Sequence, residues 1–297
     1  FVQMTPVKSD MYKLYRHASN SIEDFPFADK VLDLSKEWKT EVIYIPSRDG
    51  KRIPVTLIYS TNLSLKNGNP IIIDGYGNSG ASEDVAFNPA WTSWLKRGGI
   101  YAYAHVRGGG ELGDDWYKDG QFPHKMNSVN DVVDVSEWLV KNNYTTPSKL
   151  LLMGGSAGSF LVGNAINQRP DLFAGGIYLA GLPDLATHTD AAGGIEEKSI
   201  GPKNTKEGFK SNYNLSALYH VPQGKALPSM LVVHGASDYI LAMHPAARYV
   251  ARLQENQKGG RPILFLVSWE GGHQGSEMDP RHRNQRPPRE QRPAHER

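Results

Sequence analysis

Gly154-Gly155-Ser156-Ala157-Gly158 follows the apolar run Leu150-Leu151-Leu152-Met153 and precedes a helix-like stretch from Phe160 to Ile166. Strand, glycine-rich corner and helix, in that order, form the setting in which G-x-S-x-G marks a nucleophile elbow. A serine on so tight a turn needs neighbours without side chains, because the backbone must bend while the Oγ stands clear. The helix behind it aims backbone N–H groups and the positive end of its dipole at any oxyanion formed there. Taken alone, the pentapeptide also fits a plain structural turn.

The surrounding pattern repeats the alternation. Upstream, Glu41-to-Pro46 and Arg52-to-Tyr59 flank Ser47-Arg48-Asp49-Gly50, and Asp-Gly predicts a hairpin. The run Pro70-Ile71-Ile72-Ile73-Asp74 opens into Gly75-Tyr76-Gly77-Asn78-Ser79-Gly80, as a buried parallel strand does. Further strands are predicted over 100–106, 174–180, 229–235 and 263–267, with helices over 90–96, 127–142 and 247–254. Strands alternating with helices give an α/β protein with a mostly parallel central sheet and helices on both faces. Residues 1–40 are polar and aperiodic and read as a linker or the remnant of a missing N-terminal domain. The catalytic domain is predicted over 41–275, and the Arg/Pro-rich stretch 276–297 as a disordered tail.

Composition narrows the function. The 297 residues suffice for a full core, and the net charge of +2 is matched by six Arg against four acidic residues in 276–297. The remainder is neutral, so nucleic acid is not an expected partner. No apolar run is long enough to span a bilayer, and the opening Phe1-Val2-Gln3-Met4 has no signal-peptide character. A soluble protein is expected, in the cytoplasm, or in the periplasm or outside the cell if the chain is a fragment. Zero cysteines exclude disulfides, thiolate metal sites and a cysteine nucleophile. Neither a metal nor a cofactor is expected.

A serine nucleophile needs a base oriented by a carboxylate, and on this kind of sheet the chain order is Ser, Asp or Glu, then His. After the strand ending at Val233 comes His234-Gly235-Ala236-Ser237-Asp238. After the strand ending at Val267 comes Ser268-Trp269-Glu270-Gly271-Gly272-His273. Each residue has a bland alternative, Asp238 as a turn residue or helix cap and His273 as a surface histidine. Their joint placement behind an elbow favours a triad of Ser156, Asp238 and His273. The Ala157 N–H, next to the nucleophile, suits an oxyanion hole, with the Tyr76 hydroxyl as second donor; a core tyrosine is the other reading of Tyr76. The glycines after Arg107 suit a close-packed loop better than a phosphate cradle, since no Lys-Ser/Thr follows.

The motifs around Tyr76, Arg107-Gly108-Gly109-Gly110-Glu111-Leu112-Gly113 with Trp116 and Gly120, Gly154-to-Gly158, Asn167-to-Phe173 and Gly271-Gly272-His273 together resemble the catalytic domain of the prolyl oligopeptidase family. The resemblance implies an α/β-hydrolase fold and a serine peptidase acting on short peptides through an acyl-enzyme. It implies Ser156 as nucleophile, His273 as base then acid, Asp238 as its orienting group, and Tyr76 with Ala157 as oxyanion donors. A carboxylesterase of the same fold and a non-catalytic binding fragment are the alternatives. Departures also count. Of the family's N-terminal propeller, residues 1–40 are expected to supply at most the exit strand and linker, the Arg/Pro-rich tail is not expected to form the family's final helix, and Ser159 replaces a glycine after the elbow. The pocket Phe is replaced at Ser79, the proline-stacking Trp is absent from 191–201, and Tyr239-Ile240 stand where an Arg is expected. Strict proline specificity is therefore not expected. Glu196 and Glu197, with Ser79 and Tyr239, form a candidate substrate pocket, in which the carboxylates would suit a basic residue before the cleaved bond or would simply be surface charge.

Overall fold

A computed structural model of the chain describes residues 2–26, 31–83, 85–187 and 197–273. Its centre is an eight-stranded sheet of β4 (Trp38–Pro46), β5 (Arg52–Ser60), β6 (Ile71–Asp74), β7 (Ile100–Ala104), β8 (Leu150–Gly155), β9 (Gly175–Leu179), β10 (Ser229–Gly235) and β11 (Ile263–Ser268). The order is β11-β10-β9-β8-β6-β7-β5-β4. The first hairpin joins antiparallel and β5 meets β7 antiparallel, whereas every pairing from β7 through β11 is parallel. The crossing of β6 and β7 beside β8 puts the loops after β6, β8, β10 and β11 at one end of the sheet. Ligands of open parallel sheets bind at that carboxyl end.

Helices cover both faces, as the alternation predicts. One face carries α3 (Met126–Lys141), α4 (Ser159–Gln168) and α7 (Met243–Asn256), whose Val132, Leu161, Ile166 and Leu253 are fully buried against Ile71, Ile73 and Leu152. Each such aliphatic side chain contributes about 1.5–3 kcal/mol by leaving water. The other face carries the short α1 (Thr92–Lys96) and an aromatic cluster of Trp38, Trp91, Tyr101 and Tyr103. Both sides of β5 are buried, which is why Arg52–Ser60 reads as a near-continuous apolar run. Helix α4 is buried all round, and its amide side chains reach backbone carbonyls: Asn164 Nδ2 donates to those of Phe160 and Leu215, and Asn167 Nδ2 to that of Ala217.

Residues 1–40, which the sequence offers as a linker or the remnant of a missing N-terminal domain, carry regular structure. They contain a three-stranded antiparallel sheet, β1 (Val2–Thr5), β2 (Lys8–Arg16) and β3 (Ser21–Asp24). These strands bury little, with Tyr12 and Tyr15 each 49% exposed, so no alternation of apolar and polar residues betrays them. They join the main body through the Leu34 N–H on the Val7 carbonyl and through Val7 and Leu34 packed on the Trp38 cluster. Three helices also escape the sequence pattern: α2 (Asp114–Lys118), α5 (Glu197–Ile200) and the mostly polar α6 (Lys206–Leu215). The predicted disordered tail lies outside the described residues. Among the described residues no helix is long and apolar enough to cross a membrane, and no cluster of His, Asp and Glu is arranged to hold a metal.

One buried ion pair fixes the loop after β7. Arg107 and Asp131 are 1% and 0% exposed; the Arg107 N–H donates to Asp131 Oδ2 at 3.0 Å and its Nε donates to the same oxygen at 2.9 Å. Asp49 meets the outer edge of the guanidinium from the predicted hairpin turn. Removing one partner of a buried pair leaves an uncompensated charge, at a cost of about 3–5 kcal/mol. Asp131→Ala is therefore expected to lower the unfolding free energy by about that amount, and Asp49→Ala, at the half-exposed edge, by much less; urea denaturation of the two variants measures the difference.

Candidate active site

The serine stands at the carboxyl end of β8, where the chain turns through one 3-10 turn, Ser156–Gly158, into α4. Ser156 has φ +51°, a left-handed conformation costing a non-glycine residue on the order of 1–3 kcal/mol. Its neighbours explain how that is tolerated. A Cβ on Gly154 would overlap the Gly158 carbonyl, and one on Gly158 would come within 2.5 Å of the Gly75 carbonyl oxygen. The Ser159 hydroxyl donates to the Ser156 carbonyl at 2.6 Å, so the residue that departs from the family pattern braces the elbow.

Asp238 and His273 arrive from the loops after β10 and β11. These loops are stitched together, with the Ala236 N–H on the Ser268 carbonyl and the Ser237 N–H on that of Gly271. No Cβ fits on Gly235, because the Gly271 and Gly272 carbonyls occupy its place. Asp238 is 8% exposed, and its Oδ1 accepts the N–H groups of Ile240 and Leu241, both at 2.9 Å. Its Oδ2 lies 2.8 Å from His273 Nδ1, and His273 Nε2 lies 2.8 Å from Ser156 Oγ. A carboxylate only accepts, so Nδ1 carries the ring proton and Nε2 is left to accept the serine proton. The buried His234 packs behind the carboxylate. Its Nε2–H donates to the Leu241 carbonyl at 2.9 Å and lies 3.4 Å from Asp238 Oδ2.

Beside Ser156 is a cavity of about 140 Å³, walled by Tyr76, Asn78, Ser79, Lys125, Ala157, Ser159, Phe160, Leu182, Leu185, Ser199, Ile200, Ile240 and Leu241. Tyr76 and Ala157 thus share a wall with the serine, as the oxyanion-hole reading requires. Ser79 is in the wall too. Glu197 and Tyr239 are not: Glu197 is an exposed residue at the start of α5, and Tyr239 is 81% exposed. Glu196 lies outside the described residues. The Arg107 loop forms the close-packed support expected of it, since a Cβ on Gly108 or Gly110 would overlap the carbonyls of Gly77 and Gly80. A larger hollow of about 780 Å³, bordered by Pro147, Phe173, Leu227 and Arg261, lies at the opposite, amino end of the strands and adjoins none of the triad.

Sequence reasoning misses Lys125, which lies in the wall and is only 4% exposed. The one available signal is a cation directly before α3, where the helix dipole opposes positive charge. Burial pushes its amine down to about 7. In the unfolded chain the same amine stays protonated to about 10.4. Between those values the unfolded state binds the extra proton, so Lys125 destabilises the fold fully below pH 7 and the penalty fades as pH rises towards 10. Across that window the native protein should gain stability relative to Lys125→Met, which lacks the group; chemical denaturation of both at several pH values measures the gap.

Residues 85–290 match the family model described as the prolyl oligopeptidase family. The dipeptidyl aminopeptidase BI of Pseudoxanthomonas mexicana is 36% identical over 256 residues, 82% of this chain and 34% of that protein. The prolyl endopeptidase of Elizabethkingia meningoseptica is 31% identical over 241 residues, 80% of this chain and 34% of that protein. The chain thus spans about a third of the length of these relatives. Among solved structures, oligopeptidase B from Trypanosoma brucei superimposes with a TM-score of 0.85 at 29% identity, covering 92% of this chain and 39% of that one. The architecture is the α/β-hydrolase fold.

Proposed function

The chain belongs to the prolyl oligopeptidase family, and from that premise we propose that it is a serine peptidase cleaving short peptides through an acyl-enzyme. The observation that carries this reading is the unbroken relay from Asp238 through His273 to Ser156, two contacts of 2.8 Å each. Ser156 Oγ attacks the scissile carbonyl while His273 Nε2 takes its proton. Asp238 holds the imidazole in the accepting tautomer and offsets the charge that forms on it. The developing oxyanion is held by the Ala157 N–H and the Tyr76 hydroxyl. Collapse expels the amine, protonated by Nε2, and a water activated by the same nitrogen releases the acyl group.

The cavity wall suggests the residue accepted before the cleaved bond. Phe160, Leu182, Leu185, Ile200, Ile240 and Leu241 supply an apolar surface, and among the described residues the one basic side chain in the wall is Lys125. A guanidinium there would meet an amine donor and no carboxylate among the described residues, so a compact uncharged side chain fits better than a basic one.

Three measurements test these readings. An organophosphonate should label about one serine per chain, and Ser156→Ala should abolish the label. Tyr76→Phe should lower kcat by roughly 10²–10³, the scale of one oxyanion donor. Among otherwise identical peptide amides, those with Ala, Pro or Val before the cleaved bond should exceed Arg in kcat/KM by about tenfold or more. Cleavage of esters without any amide cleavage would overturn the peptidase reading, and a preference for Arg would overturn the pocket reading.

A further inference from the structure

A buried amine in the wall of a reaction cavity asks for an explanation, because withdrawing an ammonium from water costs several kcal/mol that a methionine of similar shape would not. Among the described residues no carboxylate offsets the charge of Lys125, and burial is what lowers its basicity. What the amine does have is two oxygens. Its Nζ donates to the Gly77 carbonyl at 2.6 Å and to Asn78 Oδ1 at 3.0 Å, and it lies 5.7 Å from the centre of the Phe160 ring.

Both oxygens belong to the turn that carries Tyr76. Gly77, Ser79 and Gly80 have φ of +61°, +55° and +64°, so this turn relies on external contacts for its shape. The Gly77 carbonyl is caught between Lys125 Nζ and the backbone of Gly108, where a Cβ would collide with it. Asn78 Oδ1 also accepts from the Ser199 hydroxyl at 2.5 Å, and Asn78 Nδ2 donates to Ser79 Oγ at 2.8 Å. The Gly77–Asn78 peptide plane, one residue beyond Tyr76, is therefore held by an amine anchored at the start of α3.

We propose that Lys125 is a positioning residue for the oxyanion hole: by clamping the Gly77 carbonyl and the Asn78 side chain, its amine aims the Tyr76 hydroxyl at the carbonyl oxygen of the group attacked by Ser156. The inference rests on the reading of Tyr76 as an oxyanion donor. An interaction realised in the transition state alters kcat and leaves KM nearly unchanged.

The test is a double-mutant cycle on the peptide-amide reaction, with rates normalised to the phosphonate-titrated serine. Lys125→Met should lower kcat roughly 10- to 100-fold with KM within about threefold, a loss approaching that of an oxyanion donor. In a Tyr76→Phe background the same substitution should cost less than about threefold, because the hydroxyl it positions is gone. Lys125→Gln, which keeps a donor, should recover part of the loss. Unchanged kcat in Lys125→Met overturns the inference, as does an equal loss in both backgrounds, the signature of a purely structural lysine. If Tyr76→Phe alone leaves kcat intact, it is the oxyanion reading that fails, and this inference with it. Should Lys125→Met not fold, Asn78→Ala breaks the same clamp from the loop side and is expected to show the same coupling to Tyr76.

Discussion

Backbone meets backbone at the carboxyl end of this sheet, with no side chain between. Gly158 abuts the Gly75 carbonyl, Gly108 the Gly77 carbonyl, Gly110 the Gly80 carbonyl and Gly235 the Gly271 carbonyl. These four approaches bring the loops after β6, β7, β8, β10 and β11 into one shell around Ser156. Side chains at the interfaces would hold the loops ångströms further apart. Hydrogen-bond geometry at the serine would then be lost, since a nucleophile and its base must lie within about 3 Å. The helices and the parallel register matter chiefly because they deliver the five loops to a common plane.

Polar groups in that shell are treated in two contrasting ways. Asp238 accepts from three donors: two backbone N–H groups and His273. Its charge is distributed over a rigid cage, which fixes the imidazole without a mobile counterion. Lys125 has, among the described residues, only neutral acceptors around it, and burial drives its amine towards the uncharged state. A neutral amine still donates two hydrogen bonds, so the clamp survives deprotonation while the cost of a buried charge is relieved. That combination keeps a cation out of an electrostatic field already organised around one carboxylate and one imidazole.

Much of this was legible before any coordinates. Apolar runs such as Ile71-Ile72-Ile73 and Leu150-Leu151-Leu152 are fully buried on one face and half-buried on the other, and glycines mark where each ends, so strand ends and the loops that carry Ser156, Asp238 and His273 could be located. The hidden parts share a physical cause, namely weak or absent burial signals. β2 exposes Tyr12 and Tyr15, and α6 is polar over most of its length, so neither presents an apolar run. The pair Glu196-Glu197 drew attention as charge near a pocket, yet Glu197 sits in water, while the charged wall residue is a lysine in the unremarkable run His124-Lys125-Met126. Burial of a lysine depends on what folds over it from elsewhere in the chain, here the Tyr76 turn and α5, and no local pattern records that.

The stitching of the Asp238 and His273 loops has a consequence for how such a chain can vary over evolutionary time. Ala236 and Ser237 hold Ser268 and Gly271 by backbone hydrogen bonds, and Gly235 leaves no room for a side chain opposite Gly271 and Gly272. Acid and base loops therefore behave as one heritable module, 35 residues apart in sequence yet interlocked in space. Lengthening either loop, or placing a side chain at Gly235, requires a matching change in the other. The serine elbow, supported separately by Gly75 and Ser159, is under no such joint restriction, so homologous recombination that exchanged the segment after β9 as a unit would preserve the relay, whereas a crossover between β10 and β11 would break it.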